Sequence, residues 1–256
     1  MRWRLLHSPP LDGPANMALD HALMLRARQS GETVLRVYGW ASPVLSFGRN
    51  QRARDIYLDA ELARRAITVV RRPTGGRALL HHREITYSVT APLLSSQGLK
   101  AVYQRVNALL LHALQALGVP AVLARPAARS RPPTSLPCFA EPAANEIVVD
   151  RRKLAGSAQW RDNGALLQHG SILVDDDQAV IRLLMREPAE VPPPPATLRE
   201  VLGRAPAPLE LSEALFHAVR CREDALATPL GRDELEQIDT SPFAEHYRNP
   251  AWTWRR

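Results

Sequence analysis

Residues 66–82 read Ala66-Ile67-Thr68-Val69-Val70-Arg71-Arg72-Pro73-Thr74-Gly75-Gly76-Arg77-Ala78-Leu79-Leu80-His81-His82. The β-branched run from Ala66 to Arg72 has the composition of a strand, and Pro73 to Gly76 is turn chemistry. Beyond it Glu84-Ile85-Thr86-Tyr87-Ser88-Val89 alternates as a strand again. Two adjacent glycines admit positive φ and let a ligand approach the backbone with no Cβ in the way. An ordinary hairpin has the same signature, so a ligand-contacting turn and a plain turn both stand at this point. No Gly-Lys-Ser/Thr follows, and the glycines lie between strands rather than ahead of a helix, which excludes a P-loop. Gly-x-Gly-x-x-Gly is absent as well, which argues against a dinucleotide enzyme.

Upstream, Thr33 to Tyr38 and Val44 to Phe47 read as short strands separated by Gly39 and Pro43, and Ile56 to Arg65 as a helix. Asp12-Gly13-Pro14-Ala15-Asn16 supplies helix-start chemistry, after which Met17, Ala18, Ala22, Met24 and Leu25 recur at helical spacing. Downstream, Leu99 to Leu117 places Val102, Val106, Leu110, Leu114 and Leu117 on one face, with Gly118 as its stop. A loop from Arg125 to Pro137, dense in Pro, Ser, Ala and Arg, leads to Cys138. Then come a strand at Glu146 to Val149, a turn at Asp150-Arg151-Arg152, a segment from Lys153 to Gln159 and a strand at Ala165 to Asp175. No repeat is present, and helical and strand periods alternate through the first 190 residues, so one α/β or α+β domain is expected. Pro192 to Pro195 is a stiff spacer, and the tail, with Leu202, Leu209, Leu211, Leu215 and Val219 in helical spacing, is expected to pack on the same domain.

The chain has 256 residues, 45% hydrophobic and 23% charged, enough to bury a sizeable core. That excludes disorder, collagen and a disulfide mini-scaffold. No apolar run approaches the roughly 18 residues of a spanning helix, and Met1 to His7 lack a signal-peptide pattern, so a cytoplasmic location is expected. Cys138 and Cys221 are then free thiols. Thirty-three basic residues against 26 acidic give a net charge of +7, which favours acidic partners. The arginines are scattered singly or in pairs with no interleaved aromatics, against a nucleic-acid interface. Only two of the basic residues are lysine, Lys100 and Lys153; a bias toward Arg, Ala and Pro is what GC-rich codons produce. A lysine that survives it marks a place where an amine that can lose its proton is useful.

Lys153 stands in Lys153-Leu154-Ala155-Gly156-Ser157-Ala158-Gln159, where small neighbours let it reach along a groove floor; a solvated lysine beside a turn fits the same pattern. Cys138 sits in a polar, Pro-rich loop rather than an apolar periodic run, which favours partial exposure over a core position, and nearby cations would favour its thiolate. His169, in Gln168-His169-Gly170-Ser171, is either a base or a strand histidine satisfied by its surroundings. The histidines show no metal-ligand spacing with the cysteines, and neither metal nor cofactor is expected.

Asn16-Met17-Ala18-Leu19-Asp20, Arg36-Val37-Tyr38-Gly39-Trp40, Arg71 to Arg77 with His81, Lys153 with Gly156 to Gln159, and Leu166 to Leu173 stand in one order along the chain. Together they resemble the lipoate/octanoate protein ligase and transferase family, whose catalytic domain is related to biotin ligases and class II synthetases. The resemblance runs from about residue 3 to Trp252. It implies a mixed, largely antiparallel sheet flanked by helices, with residues 1–190 as the catalytic acyltransferase domain and 191–256 packed against it. Within the family the chain is most similar to the cysteine-dependent octanoyltransferases of Gram-positive type. Cys138-Phe139 precedes the Glu146 to Gln159 segment where that subgroup carries its nucleophile, and Arg77 occupies the place of a third glycine in ATP-dependent ligases. His82 departs from the family pattern, where an Asp is common.

The resemblance implies transfer of octanoyl from octanoyl-acyl carrier protein to a lysine of a lipoyl-domain protein, such as glycine cleavage H protein or the acyltransferase subunit of a 2-oxoacid dehydrogenase. Cys138 would be the nucleophile and Lys153 its catalytic partner; Arg72, Thr74, Gly75, Gly76, Arg77, His81, Gly156, Ser157, Ala158, His169 and Gly170 would bind substrate. A monomer without cofactor is the expected form. An ATP-dependent lipoate ligase, octanoyl transfer between lipoyl-domain proteins, and a non-catalytic acyl-carrier-binding protein remain the alternatives.

Overall fold

The computed structural model describes residues 2–93, 98–124, 139, 144–187 and 193–256. Its elements run in chain order β1 (Trp3–His7), α1 (Gly13–Ser30), β2 (Thr33–Tyr38), β3 (Val44–Phe47), α2 (Asp59–Arg64), β4 (Thr68–Arg71), β5 (Leu79–His81) and β6 (Glu84–Pro92). They continue with α3 (Leu99–Ala116), β7 (Val122–Leu123), β8 (Ile147–Val149), β9 (Arg152–Asp162), β10 (Ala165–Leu173), α4 (Val180–Leu183), α5 (Leu198–Leu202) and α6 (Pro208–Arg222). Last come β11 (Thr228–Pro229), α7 (Arg232–Glu236), α8 (Ser241–Arg248) and α9 (Pro250–Thr253).

Local chemistry sets several of these ends. Asp12 caps α1 by accepting from the Ala15 amide at 2.7 Å, Pro14 sits in its first turn, and Gly31 closes it at φ +72°. The helix expected over Ile56 to Arg65 is shorter, because Tyr57 pairs with Met185 in a β-bridge and the Leu58 amide donates to the Leu184 carbonyl. Ala66, at φ +52°, delays the start of β4 to Thr68.

The main sheet has strand order β11-β1-β2-β6-β10-β9-β8-β7, and a second sheet has order β4-β3-β5. β1 runs parallel to both neighbours, and every other pair in the main sheet is antiparallel. The sheet is therefore mixed and largely antiparallel, as the resemblance implies. One face carries Trp3, Leu5, Leu35, Val37, Ile85 and Val89 against Leu110 and Leu114 of α3 and Leu211 and Leu215 of α6. Each such leucine contributes roughly 1.5–3 kcal/mol on burial. The C-terminal stretch thus shares this core, and β11 lies on the edge of β1.

The other face of the main sheet is turned toward the small sheet, with α1 between them. Leu19 and Leu23 of α1 pack on Leu6 and Val34 of the main sheet, and Met17 and Ala18 on Val44 and Val70 of the small one. With both sides of the helix covered, a polar residue on it must be satisfied internally. Asp20 meets that requirement with the Arg36 guanidinium of β2 at 2.8 Å, both side chains fully buried. Tyr38 and Ser88 hydroxyls donate to the same carboxylate at 2.9 and 2.8 Å. Arg36, Ser88 and His169 are aligned across β2, β6 and β10, so this one carboxylate spans three strands.

Removing one partner of a buried pair leaves a desolvated charge, so Asp20→Ala should lower unfolding stability by about 3–5 kcal/mol. Urea denaturation measures it; a loss under about 1 kcal/mol would show that the pair does not hold the helix to the sheet.

Candidate active site

One wall of the cleft between the sheets is built by β8, β9 and β10. Asp150 and Arg151, at φ +47° and +65°, make a two-residue turn that pairs Val149 with Arg152. Positive φ at both central residues matches the twist of a tight hairpin. The register then slips by one between Ile147 and Val148, the kind of irregularity that re-aims a side chain. Lys153 is in consequence a buried residue, 3% exposed, and not a solvated lysine beside a turn. Its Nζ lies 2.8 Å from Glu146 Oε1 and 5.0 Å from the centre of the Phe139 ring. Phe139 in turn packs with Leu79 of the small sheet and Leu173 of β10, closing the cleft at this end.

Gly156 explains why the spacing Lys153 to Gly156 matters. A Cβ at 156 would stand 2.6 Å from Lys153 Cε and 2.9 Å from Nζ, so the lysine occupies the space that this glycine leaves empty. Gly170 does the same for the strand pair, since a Cβ there would lie 2.4 Å from the Gly156 carbonyl oxygen and 2.8 Å from Tyr87 Cε1.

The opposite wall is the segment from Arg72 to Ala78. It is not a hairpin: β4 and β5 lie on either side of β3, parallel and antiparallel to it, and the double glycine crosses between them. Arg72 stabilises the crossing from beneath, its guanidinium donating to the Gly75 carbonyl at 3.2 Å, the Arg77 carbonyl at 2.9 Å and the Ser46 carbonyl at 3.0 Å. Gly76 takes φ +96°, and a Cβ on Gly48 would fall 2.0 Å from its carbonyl oxygen. Gly75 faces open space.

His169 joins the two walls. Its Nε2 is 2.6 Å from Thr74 Oγ1 and its Nδ1 is 3.5 Å from Asp20 Oδ2. Burial pushes the imidazole below its ordinary 6.5, and the Asp20 carboxylate only partly restores it. A neutral ring that turns Nδ1–H toward Asp20 leaves Nε2 to accept the Thr74 hydroxyl proton. Burial also pushes the Asp20 carboxyl up, but Arg36 and His169 together hold it below the usual carboxylate range. His81 repeats the pattern: Nδ1 is 3.0 Å from Glu84 Oε1, Nε2 is 2.7 Å from Ser46 Oγ, and burial lowers its pKa. Trp40 stacks on the His81 ring at 4.0 Å.

Of the residues singled out from sequence, Lys153, Gly156, Thr74, Gly75, Gly76, Arg72, His81 and His169 line or support this cleft. Ala158 is paired with His169 on the neighbouring strand, and Arg77 supplies a carbonyl to Arg72. Ser157 is turned the other way: its hydroxyl meets the Tyr87 hydroxyl at 2.7 Å on the face toward α3, where Gln168 and Asn107 extend the hydrogen-bonded chain. Cys138 lies outside the described residues. Cys221 is exposed on α6 with its Sγ 3.3 Å from His217 Nε2. Sequence reasoning gave no role to Asp20, Arg36, Glu84, Glu146 or Gly48. The signal for Asp20 was present, as Asn16 and Asp20 put two polar residues one turn apart in an otherwise apolar stretch. Among the described residues, no group of three His, Cys, Asp or Glu side chains is placed to hold a metal ion, and no helix is long and apolar enough to cross a membrane.

The site thus combines a buried lysine–carboxylate pair on the main sheet with a glycine crossing in the small sheet. The fold is shared with an archaeal bipartite lipoate protein ligase from Thermoplasma acidophilum, at TM-score 0.75 and 20% identity over 99% of this chain and 96% of that one. It is shared equally with a lipoate-protein ligase A bound with ATP, at TM-score 0.76 and 20% identity over 99% and 98% of the two chains. Residues 12–220 match the lipoyl protein ligase A/B catalytic domain, and the chain belongs to that family. Among its relatives, the octanoyltransferase LipM of Kyrpidia tusciae is 39% identical over 254 residues, 95% of this chain and 86% of that protein. The octanoyltransferase LipM of Symbiobacterium thermophilum is 36% identical over 99% of this chain and 98% of its own length.

Two outcomes follow from the cleft. Gly156→Ala should leave the melting temperature nearly unchanged, because the displaced atoms are the end of a flexible lysine, yet reduce turnover about tenfold or more by moving Nζ; full activity would show that the position of Nζ is unimportant. Because burial depresses His81 and His169, the unfolded chain binds more protons once pH falls below about 6.5, so stability should fall as pH drops below that point. Urea midpoints across that range test this, and a flat profile between pH 6.5 and 5 would contradict it.

Proposed function

We propose that this protein is an octanoyltransferase of protein lipoylation, moving octanoyl from octanoyl-acyl carrier protein to a specific lysine of a lipoyl-domain protein through a thioester on Cys138. The observation that carries the reading is identity of 36–39% to octanoyltransferases across nearly the whole chain. The buried Lys153–Glu146 pair within the cleft supports it.

The chemistry runs in two displacements. The Cys138 thiolate attacks the thioester carbonyl carbon, the bond to the donor sulfur breaks, and the donor leaves as a thiol after taking a proton. The acceptor amine then attacks the Cys138 thioester, the carbon–sulfur bond breaks, an amide forms, and the amine proton returns the cysteine to thiol. Thiol exchange is close to isoenergetic and thioester to amide is downhill, so no ATP is consumed. An unperturbed thiol of pKa about 8.5 is only a few per cent ionised at pH 7, and a neighbouring cation raises that fraction. Phe139, next in the chain to Cys138, has its ring 5.0 Å from Lys153 Nζ, which supports Lys153 as that cation. Lys153 also relays the proton released by the amine, with Glu146 holding the ammonium in place. The glycine crossing, Thr74 and His169 line the acyl site, and the enzyme works in the cytoplasm as a monomer without a cofactor.

Intact-mass measurement after mixing the protein with octanoyl-acyl carrier protein tests the covalent step. A single octanoyl increment should form on the wild type and not on Cys138→Ala, which should also lose transfer; an active Cys138→Ala variant would favour an ATP-dependent lipoate ligase, and transfer with no increment would remove the thioester. Lys153→Arg should be nearly as damaging as Lys153→Ala in a transfer assay, since a guanidinium keeps the charge but gives up no proton. A Lys153→Arg variant with half the wild-type rate or more would show that only the charge matters.

A further inference from the structure

Arginines gather where the glycine crossing meets the surface. The Arg49 amide donates to the Thr74 carbonyl at 2.7 Å, which ties this cluster to the wall of the cleft. The Arg49 guanidinium lies 5.4 Å from the ring centre of Trp160 on β9 and 5.8 Å from that of Trp252 on α9. Arg255 stands 4.2 Å over Trp252 from another side and donates to the Arg49 carbonyl. The Arg256 carbonyl accepts from the Ala53 and Arg54 amides, both at 2.8 Å, bringing exposed Arg52, Arg54 and Arg256 alongside.

Several other surface arginines are matched with acids, as in Arg64 with Glu61, Arg152 with Glu200 and Arg204 with Glu210. Among the described residues, Arg49, Arg52, Arg54, Arg255 and Arg256 make no ion pair with a carboxylate. The charges act on one another instead: burial and the Arg49 and Arg256 charges lower the Arg255 pKa, and burial with Arg255 and Arg49 lowers that of His246. Like charges held this close together carry an electrostatic cost, and an acidic partner relieves it. Guanidinium groups flanked by indole rings are also the side chains that dominate protein interfaces.

We propose that this arginine and tryptophan face is the docking surface for the acidic carrier protein that delivers the acyl thioester. The assignment rests on the transfer reading above. It favours the donor over the acceptor because the patch extends to one side of the cleft, past Trp252 to Arg255, Arg256, Arg52 and Arg54. A partner whose reactive group rides on a long phosphate-bearing arm can dock at that remove, whereas an acceptor lysine must bring its own domain up to the reacting atoms. The phosphate of such an arm is itself a bidentate partner for a guanidinium.

Steady-state transfer to one lipoyl-domain acceptor, from either octanoyl-carrier protein or the octanoyl thioester of a small neutral thiol, separates the possibilities. Arg49→Glu with Arg255→Glu should raise KM for the carrier donor about tenfold or more, flatten its salt dependence, and leave the small-thioester rate within about twofold of wild type. Arg52→Gln with Arg54→Gln, which touches neither tryptophan contact, should show the same pattern at about threefold, and covers the case in which the first pair fails to fold. An unchanged carrier KM in both variants, or an increase confined to the acceptor's KM, overturns the assignment. A wild type that transfers from neither donor overturns the transfer reading itself, and this proposal with it.

Discussion

A single buried carboxylate organises the molecule. Asp20 sits on a helix covered on both sides, and its pairing with Arg36 places two charges where water cannot reach them. Such a pair recovers its desolvation cost only when its remaining hydrogen-bonding capacity is met, and here it is. Arg36 also reaches the Ser8 hydroxyl at 2.9 Å and the Asn16 side-chain oxygen at 2.6 Å, while Asp20 takes Tyr38 and Ser88. The helix is thereby keyed in one orientation over three strands. Because His169 faces the same carboxylate and carries Thr74 on its other nitrogen, the core network ends at the cleft.

The two walls of the cleft are held in different ways. The lysine wall depends on absent atoms, since Gly156 and Gly170 leave room for Lys153 and for the strand pair to approach. The glycine wall depends on guanidinium groups bonded to main-chain carbonyls. Arg72 holds the crossing, and fully buried Arg71 fastens Gly48 and Gln51 carbonyls to the Trp252 and Thr253 carbonyls of α9. Burial and the Arg255 and Arg256 charges bring Arg71 down to about 10, still charged at neutral pH. The last residues of the described chain therefore brace the loop that faces the lysine, although they are far from it in sequence.

The arginine bias acquires a physical meaning at these positions. A guanidinium has five donors in a rigid plane and suits carbonyl clusters such as those around Arg71 and Arg72. At 153 the side chain must lie over a glycine with its charged end against Glu146, a space that fits a slender alkyl stem and a compact ammonium. The exception to the bias is thus accounted for by the shape of the site.

Short-range signals carried much of the fold. The Asp12 cap, Pro14 and Gly31 bound α1; Gly118, at φ +86°, stops α3; and β2 and β3 fall where alternation placed them. The motif residues of the cleft were legible too, because glycine and lysine carry their reasons in their own chemistry. Partner choice was not. Nothing within residues 66–82 shows that β4 and β5 flank β3 instead of each other, since strand pairing is decided by non-local hydrogen bonds. Nor could neighbouring positions show that Ser157 faces α3 while Lys153 faces the cleft, which depends on the register slip opposite Val148. The sequence alone picked out the lysine, glycine and histidine positions that share the cleft and the ends of helices such as α1 and α3. Only the tertiary structure decided which of them meet, because Asp20 with His169, Glu146 with Lys153 and Arg71 with Trp252 become neighbours only after the sheets close.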